Sequence, residues 1–233
     1  MAFDRIQLDY SKMSNREQAK AILDRAMAQA GNPPSRPVGI TYSANHDQTE
    51  DIRAAYAAGK PTTGTKGSHQ ADVIRNVEDL LSSPTDPFDD PPSTPPKPNP
   101  YAALRGHFQI LPITTMTKTG GPTTGAWLEE DLKAISDFAD KGGVVMGWQN
   151  QNSADGFAVG GGVIKLSPEH NAYIQQNLKG IEAAVKAGTK HEVKPLSPAA
   201  GSPTPPASPA PVASPTPPAS PTPPAIVARF LGF

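Results

Sequence analysis

Proline constrains this chain more than any other residue, because its 28 prolines are unevenly placed. Thirteen fall between Pro195 and Pro224, in an uncharged Pro/Ser/Thr/Ala tract where the hexamer SPTPPA recurs at 202–207, 214–219 and 220–225. Proline locks φ and lacks a backbone donor, so this tract is expected to form neither a helix nor a central strand. The expectation is an extended polyproline II spacer, reaching on the order of 90 Å at ~3.1 Å per residue. Beyond it hang nine residues, AIVARFLGF, of which Ile226, Val227, Phe230, Leu231 and Phe233 are large and apolar. The sequence therefore divides into a body at 1–190, a Pro/Ser/Thr/Ala-rich disordered linker at 191–224 and a C-terminal docking peptide at 225–233.

Charge and composition narrow the partners. The 233 residues carry 21 basic and 22 acidic side chains, which gives no basic footprint for nucleic acid. Cysteine is absent, so disulfides, thiolate nucleophiles and cysteine-held metals are not expected. The first 18 residues mix charge throughout, without the unbroken apolar core of a secretory signal. No apolar run approaches the ~20 residues of a membrane span. The expectation is cytoplasmic synthesis, with residence in a protein assembly or signal-independent export as the later fate.

The body reads as α/β: a small mixed sheet with flanking helices. Ser14 and Glu17 form a capping box for a helix that Gly31 ends, with Ala19, Ile22, Leu23, Ala26, Met27 and Ala30 as its apolar stripe. Val38–Ser43 reads as a strand, the one strand expected in the first 82 residues. Asp47 is expected to cap a second helix through Ile52, Ala55 and Tyr56, and a third runs from Ser68 to Leu81. Pro84–Pro100 holds eight prolines and reads as a surface excursion, because the residues before it would struggle to close a core alone. Phe108–Thr115 reads as a buried strand, although Pro112 belongs at an edge or bulge. A helix through Trp127, Leu132 and Phe138 then leads to the strand at 144–148, which makes a strand–helix–strand crossover. A hairpin partner is expected at 157–166, interrupted by Gly160, Gly161 and Gly162. Ser167 caps the last helix, Pro168 opens it and Gly188 closes it.

Two stretches attract function. Thr117–Gly125 joins a strand end to a helix start, where α/β sheets bind ligands. Lys118, Thr119, Gly120, Gly121, Thr123 and Thr124 are its candidate ligand-binding residues, since glycines admit an anion to backbone amides and Lys118 can neutralise a phosphate. The order is neither that of a Walker A loop nor that of the dinucleotide fingerprint, and the alternative it leaves is a turn whose threonine caps a helix. Gly120-Gly121 followed by Pro122-Thr123-Thr124-Gly125, with Glu129 and Glu130 beyond, resembles the Gly-Gly-x-Gly-Thr-x-x-Glu loop of the lysine-decarboxylase-like nucleoside monophosphate phosphoribohydrolases. The second glycine and the threonine are out of order, and no activity is carried over. Five histidines show no metal-ligand spacing, and His46 reads as an exposed loop residue beside the acidic start of the second helix. No catalytic residue, metal or cofactor is assigned.

The terminal peptide attracts the stronger expectation. Ile226, Val227, Phe230, Leu231 and Phe233 are its partner-binding residues, suited to a sheet edge or a groove on a larger protein assembly. The layout of body, tether and short apolar peptide resembles the cargo proteins of bacterial protein shells such as encapsulins, without their common Gly-Ser-Leu core. The first functional reading is thus a cargo-like or adaptor-like interaction protein. The second is a small enzyme or effector taking a phosphorylated or nucleotide-like ligand at 117–125.

Overall fold

The computed structural model describes residues 3–8, 12–58, 69–119, 121–150 and 166–196. Four strands, β1 (Phe3–Leu8), β2 (Val38–Asn45), β3 (Phe108–Met116) and β4 (Val144–Asn150), form a parallel sheet in the order β1-β4-β2-β3. The helices are α1 (Asn15–Ala30), α2 (His46–Ala57), α3 (His69–Ser82), α4 (Gly125–Asp140) and α5 (Pro168–Ala187), with a 3-10 turn at Ala102–Leu104. The architecture is α/β, as the sequence predicts. All pairings among the described strands are parallel, and the hairpin partner expected at 157–166 lies outside the described residues.

Connection direction explains where the helices go. β1 to β2 to β3 advances across the sheet, whereas β3 to β4 steps back over β2. Right-handed crossovers place helices for opposite steps on opposite faces. Accordingly, α1 and α3 cover one face with Ile22, Leu23, Val77 and Leu80 against Ile40, Tyr42, Val144 and Met146. Across the sheet, α4 and α5 cover the other face with Leu128, Leu132, Ile174 and Leu178 against Phe3, Leu111, Ile113 and Val145.

β1 was not foreseen. Its alternation is broken by Asp4, whose buried carboxylate is claimed by Arg25 and Gln29 of α1. The mixed polarity of this strand follows from that pairing. Pro112 occupies β3 opposite Tyr42. Its neighbour of the same parity, Thr114, points its N–H away from β2 and donates it to Asp131 Oδ2 at 2.6 Å. Alternate residues of a strand face the same way, so the donor missing at Pro112 is one that β2 never needed.

The proline-rich excursion returns to the same compact unit. Asp89 organises it by accepting from Lys97 Nζ at 2.7 Å, Ser93 N at 2.6 Å and Ser93 Oγ at 2.8 Å. Lys97 first, then these Ser93 donors, holds the Asp89 carboxyl down at about 2. Asn99 closes the loop by donating to the carbonyls of Leu80 and Ser83, both at 2.8 Å.

The segment 191–196, expected to open the linker, instead lies on the body. Ser136 Oγ donates to the His191 carbonyl at 2.9 Å, Tyr173 OH donates to the Lys194 carbonyl at 2.7 Å, and Val193 is buried among the α4 and α5 side chains. The rest of the expected linker and the docking peptide at 225–233 lie outside the described residues.

Candidate functional site

β2 and β3 are neighbours, yet their carboxyl ends feed helices on opposite faces, which is the kind of position where open α/β sheets hold ligands. α2 begins directly at His46. Asn45 Oδ1 accepts from Gln48 N and Gln48 Oε1 accepts from Asn45 N, each at 2.9 Å. This reciprocal pair caps α2, so Asp47 does not act as the expected cap. Asp47 faces the loop after β3 instead, 3.3 Å from Lys118 Nζ.

The loop itself is drawn shut. Thr117 N donates to the Gly121 carbonyl at 2.8 Å, and Thr117 Oγ1 lies 3.3 Å from the same oxygen. Thr123 is buried, while Thr124 precedes α4 without a side-chain capping bond. Gly125 supports a close approach, because a Cβ there would stand 3.1 Å from Leu196. Lys118 is 75% exposed and already faces a carboxylate. Gly120 lies outside the described residues. The five described candidate ligand residues therefore belong to one turn, but its cation is paired and an apolar side chain covers the start of the helix behind it.

What the sequence did not reveal is the clamp beside this loop. His46, expected as an exposed loop residue, is half-buried and stacks on Trp127 with ring centroids 4.0 Å apart. Its Nε2 lies 3.2 Å from Thr123 Oγ1. Arg53 of α2 sits 5.1 Å from the same indole ring and reaches Glu130 at 2.7 Å and Asp131 at 2.9 Å. Asp131 is 1% exposed. Burial pushes its carboxyl up to about 6, opposed by the hydrogen bonds from Thr114 and by Arg53. Thr49 and Thr114 share a hydrogen bond of 2.7 Å beneath this clamp, and Ser43 and Thr115 share one of 2.9 Å. Helical periodicity marks Trp127 only as apolar, and no local pattern links it to a residue 81 positions earlier.

A second concavity, about 390 Å³, opens between α5 and the segment 189–196 and is lined by Glu169, Tyr173, Asn177, His191, Glu192 and Lys194. Asn177 Oδ1 receives His191 Nε2 at 3.0 Å, which fixes the protonated nitrogen of that ring. Among the described residues no group of three or more His, Asp or Glu side chains is placed to hold a metal ion. Nor is any described helix long and apolar enough to cross a membrane. Asp47 of α2 faces Lys118, and Glu130 and Asp131 of α4 face Arg53, so both of these cations stand against carboxylates.

Protein-family models, curated proteins and solved structures offer no match to this chain.

Proposed function

We propose that this chain is an interaction protein, a folded α/β body tethered to a larger assembly through residues 225–233. The observation that carries the reading is the self-sufficiency of the body. Both faces of the sheet are covered by the body's own helices, and the last body segment is fastened to α4 and α5 before the proline-rich tract begins. Five large apolar side chains at the end of a long spacer then suit an external surface.

The test is transfer of the address. Residues 225–233, fused through a flexible spacer to an unrelated soluble carrier, are expected to bring that carrier into the same large species as the full chain in size-exclusion chromatography of native extract. Deletion of 225–233 from the chain is expected to release it as a free body. A full chain that migrates as free protein with or without the peptide would end this reading.

The second reading places an anionic ligand, phosphorylated or nucleotide-like, at 117–125. One observation favours it: this turn stands where β2 and β3 send their chains to opposite faces. The pairing of Lys118 with Asp47 weighs against strong anion binding. Calorimetric titration with inorganic pyrophosphate tests it, with the heat expected to vanish in Lys118→Ala.

A further inference from the structure

Glycine in the interior of a helix is costly relative to alanine. Gly180 nonetheless sits in the middle of the 20-residue α5. The structure supplies the reason, because a Cβ at 180 would collide with the imidazole of His191. Gly125, at the first position of α4, is approached less closely: a Cβ there would stand 3.1 Å from Leu196, a tight contact rather than a collision. Two helices thus each present a bare backbone position to the segment 189–196.

That segment follows a consistent track. Lys190 Nζ meets Asp137 at 2.7 Å, the His191 carbonyl meets Ser136, and Leu196 meets Gly125, so the chain runs antiparallel to α4 along nearly its whole length. The dimensions agree. Five extended steps from 191 to 196 cover roughly 17 Å, and eleven helical residues from 125 to 136 rise by a similar ~17 Å. On its other flank the segment is held to α5 by Asn177 and by Tyr173 OH.

The geometry points to a latch: residues 189–196 lie in the groove between α4 and α5 and brace the start of α4 at Gly125, so that releasing them loosens the Gly/Thr loop that enters that helix. Leu196, at the start of the proline-rich tract, is the last described residue, which places the latch between any pull on the C-terminal extension and the loop after β3. The latch rests on the ligand reading only for what the loosened loop would receive, and its mechanics are independent of that reading.

Hydrogen exchange of the full chain, followed by mass spectrometry, tests the latch with two substitutions. Gly180→Ala improves the helix-forming tendency of α5 while placing a Cβ 2.2 Å from His191 Cε1, so that the imidazole must leave its seat on α5 and its contact with Asn177. It is expected to expose 189–196 to exchange and to accelerate exchange across 117–127 by roughly tenfold, with 38–44 unchanged as the internal reference. Leu196→Ala removes only the final contact and is expected to accelerate 117–127 while 189–193 keeps its protection. Unchanged exchange at 117–127 in both variants overturns the latch. Should Gly180→Ala loosen the reference segment as well, Leu196→Ala alone decides. Titration of the same variants with inorganic phosphate is read separately. Heat that grows as the latch opens supports the ligand reading, and its absence counts against that reading while leaving the exchange result to judge the latch.

Discussion

Asp131 joins three elements through one carboxylate. It projects from α4, accepts the outward N–H of Thr114 in β3 and pairs with Arg53 of α2. Its folded value of about 6 stands above the ordinary 3.8 because burial dominates. Between about pH 4 and 6 the folded chain therefore binds this proton more readily than the unfolded chain. The contribution of the side chain is fully present below that window and is lost as pH rises through it, by about 3 kcal/mol in total. Asp131→Asn keeps an acceptor for Thr114 and removes the ionisation. Urea midpoints measured from pH 4 to 7 are expected to show a flatter profile in this variant than in the parent chain. At Gly39 in β2 the limit is space. An added Cβ would stand 2.5 Å from Leu111 Cδ1 and 3.1 Å from Phe138, so Gly39→Ala is expected to cost about 1–3 kcal/mol by overpacking. Equilibrium denaturation measures it.

Elements with local signals were legible from the chain alone. The Ser14–Glu17 capping box starts α1 where the pattern predicts, and Ser14→Ala is expected to cost about 1 kcal/mol, read as a lowered denaturation midpoint. Ser167, Pro168 and Gly188 bound α5 in the same way. β1 escaped detection because Asp4 interrupts its apolar alternation, and the partner that makes Asp4 tolerable, Arg25, lies 21 residues away. The pattern ends the strand at Ser43 and so puts the cap of α2 at Asp47. Two more residues of strand move the cap to Asn45. The proline-rich excursion depends on Asp89, whose carboxyl titrates well below the usual range. Its contribution is present above about pH 4 and is lost as pH falls toward 2. Asp89→Ala is expected to make residues 84–100 a preferred site of limited proteolysis at neutral pH, with the rest of the body intact.

At the scale of the molecule, the legible part of the candidate site was the loop and the illegible part was its surroundings. A glycine/threonine turn between strand and helix is visible in eight or nine letters. The stacking of His46 on Trp127 and the seating of Leu196 on Gly125 are products of topology, and no spacing along the chain encodes them. The same holds for the end of the body. Residues 191–196 share the polarity of a linker, yet Val193 and two side-chain-to-carbonyl hydrogen bonds fix them in place. Removal of 198–233 is therefore expected to leave the melting temperature within about 1 °C. Removal of 189–233 forfeits roughly 3 kcal/mol of apolar burial and hydrogen bonding, and is expected to lower the melting temperature by roughly 6–12 °C. Differential scanning calorimetry of the two truncations distinguishes a passive tail from a structural one.

The margin formed by β3 bears on how such bodies behave at close quarters. An open strand margin with free donors is a template for another chain and a route to aggregation. Here Pro112 has no donor to offer and Thr114 has given its own to Asp131. Many copies gathered on one scaffold, each on its own tether, would crowd side by side at high local concentration. Along this margin they would meet two consecutive outward positions with no N–H to offer, which leaves half of the ladder bonds unmade there and disfavours a growing intermolecular sheet.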